Sequence, residues 1–465
     1  MTKFLMIFRP REELPNLQCA LRANLHFIPW QIAVSLNRVY FLAECISCWV
    51  CAADSIATGR ASRLRWPLPE PRYRVLAIGS HPVQYMAPLL RRMAQHPQLD
   101  LSVAYCTLRG AQPAHDPDFN TTVKWDIPLL DGYSWQEVPN HGSGAESFWG
   151  LYNPELWKLI RKDRFDAVLC YLSYLRASFW ISYFAARLSR SAFLFGCDQN
   201  SLEPRDGRAW KRGVKKVLWP ALYRLADQVM VSSAGARSLI LSFGIADQNV
   251  TLTPLTVDNE WWMAQSQKAD RESVRASWGA TPETTVILFC AKLQHWKRPI
   301  DLLRAFAQAN LSDALLVYAG EGAQRQELER EAATLGVSER VRFLGFQNQA
   351  GLPAVYTAAD LMVLPSEYEP FAVVVNEASC CGCPVAASDR VGAARDLIAP
   401  VDPGLIYPCG DVRALSTLLS GLCRDRGCFR QLGRAAKNRM ASWSPEANVS
   451  GTVAAVSAAV HRRQL

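Results

Sequence analysis

The chain contains no run of about 18 uncharged apolar residues, the minimum that takes a helix across a bilayer. The best candidate, residues 39–53, is too short and carries Glu44. A cleavable signal pattern at Met1 is lacking as well, so the expected location is cytoplasmic. There is no repeat of solenoid period and no low-complexity tract, which excludes stacked-repeat and biased-composition architectures. Metal ligands in a usable set are also scarce. Cys45, Cys48 and Cys51 have a C-x2-C-x2-C spacing, but no fourth cysteine or histidine completes it nearby, and no metal site is expected. Many of the 14 cysteines lie instead inside apolar runs, among them Cys290, Cys380, Cys381 and Cys383, as small core residues in a reducing compartment.

What is present describes a globular chain. The 465 residues allow two domains of ordinary size plus extra material, and 49% apolar residues are ample for large cores. A formal net charge of +9 suits anionic partners: nucleotide phosphates, acidic lipid surfaces or nucleic acid. Residues 1–71 mix Arg, Trp and Cys without a sustained period and run into the proline-rich WPLPEPRYR. They are expected to form a poorly ordered extension or to reflect an upstream start translated only on paper. An amphipathic membrane-surface segment over residues 25–50 is the functional rival.

From Arg74 the pattern becomes regular. Short apolar runs of strand length at residues 75–78, 101–105, 166–171, 192–194, 229–232 and 250–253 alternate with helical stretches, and a hinge is expected at residues 254–258. A second set of strands follows at residues 285–289, 315–318 and 341–344. Each ends in a glycine or basic loop: Lys292 to Pro299, then Gly320-Glu321-Gly322, then Gly345-Phe346. Repeated βα units that deliver such loops to one edge describe doubly wound α/β sheets with a nucleotide cleft. A helix over residues 208–226 carries Arg208, Lys211, Arg212, Lys215 and Lys216 mostly on one side and Val214, Leu218, Leu222 and Leu225 on the other. It could dock on anionic lipid or present a solvated basic face over a core.

The chain is organised around residues 361–387, LMVLPSEYEPFAVVVNEASCCGCPVAA, which form one strand, loop, helix and strand with acids at the turns. Pro365 and Ser366 break the first strand, residues 372–381 make the helix, Gly382 ends it, and Pro384 opens the next strand. Glu369 stands before the helix and Glu377 inside it, roughly 10 Å apart along the axis at 1.5 Å per residue. That separation is about the distance from the sugar of a nucleotide-sugar to its ribose. The diphosphate would then lie over the amides of Phe371 and Ala372 at the helix start.

The E-x7-E spacing, the Glu-Pro-Phe start and the Glu-Ala-x-x-x-Gly-x-Pro-Val continuation resemble the donor-site signature of family-4 glycosyltransferases. The resemblance spans residues 74–460 and implies the GT-B fold, two Rossmann-like doubly wound domains facing a cleft. Its domains would be 72–257 on the acceptor side and 258–442 on the nucleotide-sugar side, with 443–465 as a helix crossing back to the first.

The implied activity is a retaining, metal-independent, hexosyltransferase-type transfer from a nucleoside-diphosphate-sugar to a glycan or lipid-linked acceptor in surface polysaccharide biosynthesis. No cofactor and no nucleic acid partner are expected, and the location would be peripheral at the inner face of the plasma membrane. Lys292 and Lys297 would match the family's basic pair on the diphosphate, with Lys292 where Arg is more usual. By the same resemblance Glu369 would hold the donor sugar and Glu377 the ribose, while contacts near Gly345 would help choose the base. Many family members place a histidine after a middle strand of the first domain. Here that region reads Tyr171-Leu172-Ser173-Tyr174, so His81 and Asp198 are the substitutes, ahead of His115 and His141. The single Asp-x-Asp, Asp116-Pro117-Asp118, lies in a loop rather than at a strand end, and the resembled fold handles the diphosphate without metal. A catalytically inactive scaffold of the same fold, or a nucleotide-sugar epimerase, remains the alternative.

Overall fold

The computed structural model describes residues 71–112, 114–116, 121–123, 125–204 and 207–464, with backbone alone at 114–116 and 121–123. The expectations for residues 1–70, the Cys45/Cys48/Cys51 set, the Asp116-Pro117-Asp118 side chains and the His115 ring lie outside the described residues.

The first lobe begins with β1 (Tyr73–Gly79), α1 (Met86–Gln95) and β2 (Leu99–Tyr105). The short pair β3 (Ala114–Asp116) and β4 (Thr121–Val123) precedes β5 (Ser134–Glu137) and α2 (Glu155–Asp163). Then come β6 (Ala167–Cys170), α3 (Ala177–Leu188), β7 (Ala192–Cys197) and α4 (Ala209–Tyr223). The lobe closes with β8 (Gln228–Val231), α5 (Ala234–Ser242) and β9 (Val250–Leu252).

The second lobe opens with α6 (Asn259–Lys268) and α7 (Arg271–Ser277), then β10 (Thr285–Cys290), α8 (Pro299–Ala309) and β11 (Ala314–Ala319). It continues through α9 (Arg325–Thr334), β12 (Val341–Gly345), α10 (Leu352–Ala358), β13 (Leu361–Leu364) and α11 (Val373–Cys380). β14 (Val385–Ser388), β15 (Ile406–Tyr407), α12 (Val412–Arg424), α13 (Gly427–Arg439) and α14 (Pro445–Gln464) complete the chain.

Seven strands in the order β5-β2-β1-β6-β7-β8-β9 form one parallel sheet, and six in the order β12-β11-β10-β13-β14-β15 form the other. Such strands are covered by helices on both faces, which is why β10 (TVILFC) and β11 (ALLVYA) are apolar almost throughout and buried at every position. In each sheet the order reverses beside the first strand, β1 or β10. The crevice that opens there, at the carboxyl ends of the strands, is where doubly wound sheets bind ligands. α14 returns to the first lobe: Val449, Val453, Val456, Ala459 and Val460 share a core with Val75, Leu101, Leu169 and Leu194. The Trp443 indole donates to the Leu255 carbonyl at 2.9 Å and the Asn448 amide to the Pro254 carbonyl at 2.8 Å, so the start of this helix is tied to the link between the lobes.

Three expectations need correction. The sequence reads as a helix starting at residues 392–398 and as a helical stretch over 411–440; the first is a single π turn, Ala394–Ile398, and the second is two helices. α4 is shorter than expected and is rotated about its axis: Leu222 is buried and Leu225 packs on the core as expected, but Trp219 and Tyr223 are buried beside them, whereas Val214 and Leu218 are exposed. The sequence periodicity ranks faces by apolarity, but the aromatic anchors Trp219 and Tyr223 decide the packing. Trp219 donates to the Tyr174 hydroxyl at 2.9 Å and Tyr223 stacks on Phe195 at 5.2 Å.

Candidate active site

Loops from three consecutive strands meet at the edge of the second sheet. Gly320 takes a φ of 152°, and a Cβ there would stand 2.0 Å from the Ala291 carbonyl oxygen, so only glycine lets the two loops touch. The Gly320 amide donates to the Gly345 carbonyl at 2.9 Å and the Leu293 amide to the Glu321 carbonyl at 2.8 Å. Lys292, half-buried, sits in this braced backbone directly after β10, and Gly345 ends β12 with a φ of 71°.

The loop that leads into α11 is fixed from two sides. The Glu367 amide donates to the Trp296 carbonyl at 2.8 Å, and Arg298 reaches the Glu367 carboxylate at 3.1 Å, which locks this loop onto the one carrying Lys297. On the other side the Gly392 amide donates to the Glu369 carbonyl and the Ala393 amide to the Phe371 carbonyl. A Cβ on Gly392 would lie 1.9 Å from the Pro370 oxygen. Between these braces the Lys297 ammonium forms an ion pair with Glu369, whose Oε1 also accepts from the Ser366 hydroxyl at 3.1 Å. Both partners are mostly withdrawn from water, with side-chain exposures of 19% and 10%.

Ala372, the residue that caps the start of α11, adopts a φ of 89° and offers no side-chain cap, so the first amides of the helix have no side-chain acceptor. An alanine in this left-handed region is strained, and such strain concentrates at binding sites. The Phe371 ring turns away from the cleft and stacks on Trp443 at 6.0 Å, so only its backbone is available to a ligand. One turn and more into the helix, Glu377 is buried, and the Tyr356 hydroxyl donates to its Oε2 at 2.9 Å. Burial raises its carboxyl to about 7, against the pull of the Tyr356 hydrogen bond. Tyr356 comes from α10 and its oxygen also lies 3.3 Å from the Cys290 sulfur; its apolar neighbours in the sequence gave no sign of this role.

Facing these loops, the first lobe encloses a cavity of about 670 Å³ at the carboxyl ends of β1, β6, β7 and β8. His81, Asp198, Gln199 and all of Tyr171-Leu172-Ser173-Tyr174 line it. Lys215 and Trp219 of α4 close one wall, and Tyr368 of the second lobe reaches in to donate to the Gln199 side chain at 2.8 Å. The two first-lobe candidates, His81 and Asp198, thus share one cavity. The Ser80 hydroxyl lies 3.0 Å from His81 Nδ1. Surrounding protein atoms and then the Arg109 guanidinium hold its imidazole below the usual value, although the ring still reaches solvent. His141 is elsewhere, 3.0 Å from Glu155 in a surface loop.

Sequence reasoning missed Tyr368, the neighbour of a residue it singled out, and Lys215, which it placed only on a basic face.

Comparison with known proteins gives a consistent picture. Residues 270–439 match the family model of glycosyl transferases group 1. The D-inositol 3-phosphate glycosyltransferase of Nocardia farcinica is 32% identical over 245 residues, 50% of this chain and 53% of that protein. The 2-deoxystreptamine glucosyltransferase of Streptomyces kanamyceticus is 30% identical over 209 residues, 44% of this chain and 53% of that protein. The chain therefore spans about half the length of the curated relatives it matches. Among solved structures, Anabaena HepE in complex with UDP and glucose superposes with a TM-score of 0.61 at 17% identity, over 82% of this chain and 98% of that one. Sucrose-phosphate synthase of Thermosynechococcus elongatus superposes with a TM-score of 0.59 at 20% identity, over 82% of this chain and 97% of that one. The chain has the GT-B fold, two Rossmann-like sheets each wound with helices, and its second lobe carries the group 1 glycosyltransferase match.

Proposed function

We propose that this chain is a glycosyltransferase that moves a hexose from a nucleoside-diphosphate-sugar to an acceptor held in the first-lobe cavity, with retention and without a metal. The acceptor is a glycan or a lipid-linked precursor of one. The observation that carries this reading is a single loop: Glu369 pairs there with Lys297, while its neighbour Tyr368 enters the 670 Å³ cavity. One segment therefore touches the places proposed for donor sugar and acceptor. The family match of the second lobe and the UDP bound in the Anabaena neighbour support a nucleotide at this edge.

As the glycosidic bond breaks, negative charge gathers on the leaving diphosphate. In this reading Lys297 and Lys292 stabilise that charge, and the uncapped amides at the start of α11 add a fixed dipole. Glu369 takes hydroxyls of the donor sugar and favours the oxocarbenium-like charge at the reacting carbon. Glu377 accepts from the ribose hydroxyls, and the Gly345 turn borders the base. His81 and Asp198 are the first-lobe groups that face the acceptor. The test is calorimetry of the full chain with UDP-, GDP-, ADP- and TDP-sugars, alongside Lys297→Ala and Glu377→Ala. One donor class is expected to bind, and each substitution to weaken it at least tenfold; a folded protein that binds none of the four sinks the reading.

The absence of histidine from Tyr171-Leu172-Ser173-Tyr174 favours, as a second reading, a scaffold that binds the donor without transferring it. Donor binding without any release of nucleoside diphosphate, whatever acceptor is offered, would select that reading. An epimerase would convert the donor into an epimeric nucleotide-sugar, with no acceptor and no net release of nucleotide.

A further inference from the structure

At the amino ends of β6 and β7, the end of the first sheet opposite the cleft, lies a second cavity of about 660 Å³. That volume is typical of a small-molecule site. The carboxyl ends of three helices meet there, and each brings arginine to the lining: Arg161 and Arg164 from α2, Arg190 from the turn after α3, and Arg463 from α14. Asp166 is the one acid in the lining, and its carboxylate already accepts from the Arg74 amide at 2.7 Å. Arg161, Arg164 and Arg190 have no carboxylate partner among the described residues.

Two details separate this cluster from ordinary surface charge. Arg164 and Arg190 adopt φ values of 48° and 58°, in left-handed turns after helices where glycine is the usual residue because a Cβ is strained there. Arg463 donates through Nε to Asp227 Oδ2 at 2.9 Å, yet its buried Nη2 has no hydrogen-bond partner among the described residues, a costly state for a charged donor. Arginines also offset the negative ends of helices. Three such ends supply about half a charge each, and with Asp166 they still leave the four guanidiniums in excess.

We propose that this cavity is a second binding site, separate from the cleft, for a soluble compound that carries at least two phosphate groups. A guanidinium fork matches two phosphate oxygens at once, and forks spread over three helix ends call for more than one phosphate. A ligand at this end of the strands cannot reach the donor, so the site stands whether or not the cleft transfers sugar. By bridging the ends of α2, α3 and α14 it would also stabilise the fold.

The test is calorimetry of the full chain with tripolyphosphate, beside inorganic phosphate and citrate. Tripolyphosphate should bind at least tenfold more tightly than either. Its affinity for this site should persist in Lys297→Ala, which weakens the cleft, and should fall at least tenfold when Arg164→Gly and Arg190→Gly are added. Glycine suits both left-handed turns, so these two substitutions should leave the unliganded melting temperature at or above that of the parent. Tripolyphosphate should raise the melting temperature of Lys297→Ala but not of the variant that also carries the two glycines. A lower melting temperature with unchanged affinity in the glycine variant assigns the arginines to the helix ends and overturns the proposal. Loss of all binding in Lys297→Ala places the anion in the cleft and overturns it too. Citrate bound as tightly as tripolyphosphate overturns the assignment to phosphate. Binding of phosphatidylglycerol vesicles without saturable binding of tripolyphosphate overturns the soluble ligand.

Discussion

Glu377 is the side chain whose charge is most finely balanced. Its carboxyl lies at about 7 when folded and near 4.5 when the chain is unfolded, because burial disfavours the ion. The fold therefore binds this proton more tightly than the unfolded chain does. The stability it contributes is fully present below pH 4.5 and is lost as pH rises through about 7. In the proposed reading ribose hydroxyls donate hydrogen bonds to Glu377 and so favour the carboxylate. Donor affinity should accordingly rise with pH through about 7 and proton release should accompany binding; calorimetry in buffers of different ionisation enthalpy measures both. Glu377→Gln should flatten the affinity profile and raise the melting temperature at pH 8 more than at pH 5. A Gln variant that keeps the parent's pH profile would place the titration on another group.

At the scale of elements, the loop edge of the second sheet is held by backbone packed too closely for side chains. Gly392→Ala would drive a methyl group into the Pro370 carbonyl and spread the braces on either side of Glu369. We expect a loss of about 2–3 kcal/mol, a melting temperature lower by roughly 5–10 °C, and weakened donor binding. Calorimetric scanning measures the first two, and a variant of unchanged stability would mean the loop can yield.

This edge was legible in the sequence because its grammar is local. Strand, breaker and helix follow one another within residues 361–387, and glycines mark the turns. The faces of α4 were not legible. Its outward and inward sides are both apolar, and the aromatics that decide between them pair with Tyr174 and Phe195, far away in the chain. Tyr356 beneath Glu377 escaped notice for the same reason: a tyrosine in an apolar helix looks like core until its hydroxyl partner is seen.

Across the whole molecule the lobes are joined by few but specific polar contacts. The Ala234 amide donates to Asp396 Oδ2 at 3.0 Å, Arg395 donates to Ser238 at 3.3 Å, and Tyr368 donates to Gln199. The second lobe was expected from its apolar strand runs, and the crossing helix from the family resemblance. The first-lobe cavity was not, since its lining comes from the ends of several strands and a loop of the other lobe.

That last contribution bears on how the two substrates meet the protein in time. Tyr368 is the chain neighbour of Glu369, so a donor sugar that drew Glu369 away from Lys297 would be expected to shift the Tyr368 side chain that lines the cavity as well. In the proposed reading the cavity would then reach its working shape only after the donor has arrived, and the expected order of addition is compulsory, with the donor leading. In initial-rate kinetics a non-reacting acceptor analogue should be uncompetitive against the nucleotide-sugar, whereas random addition would make it noncompetitive. Replacing Tyr368 with Ala should relax the order towards random while leaving donor affinity close to that of the parent.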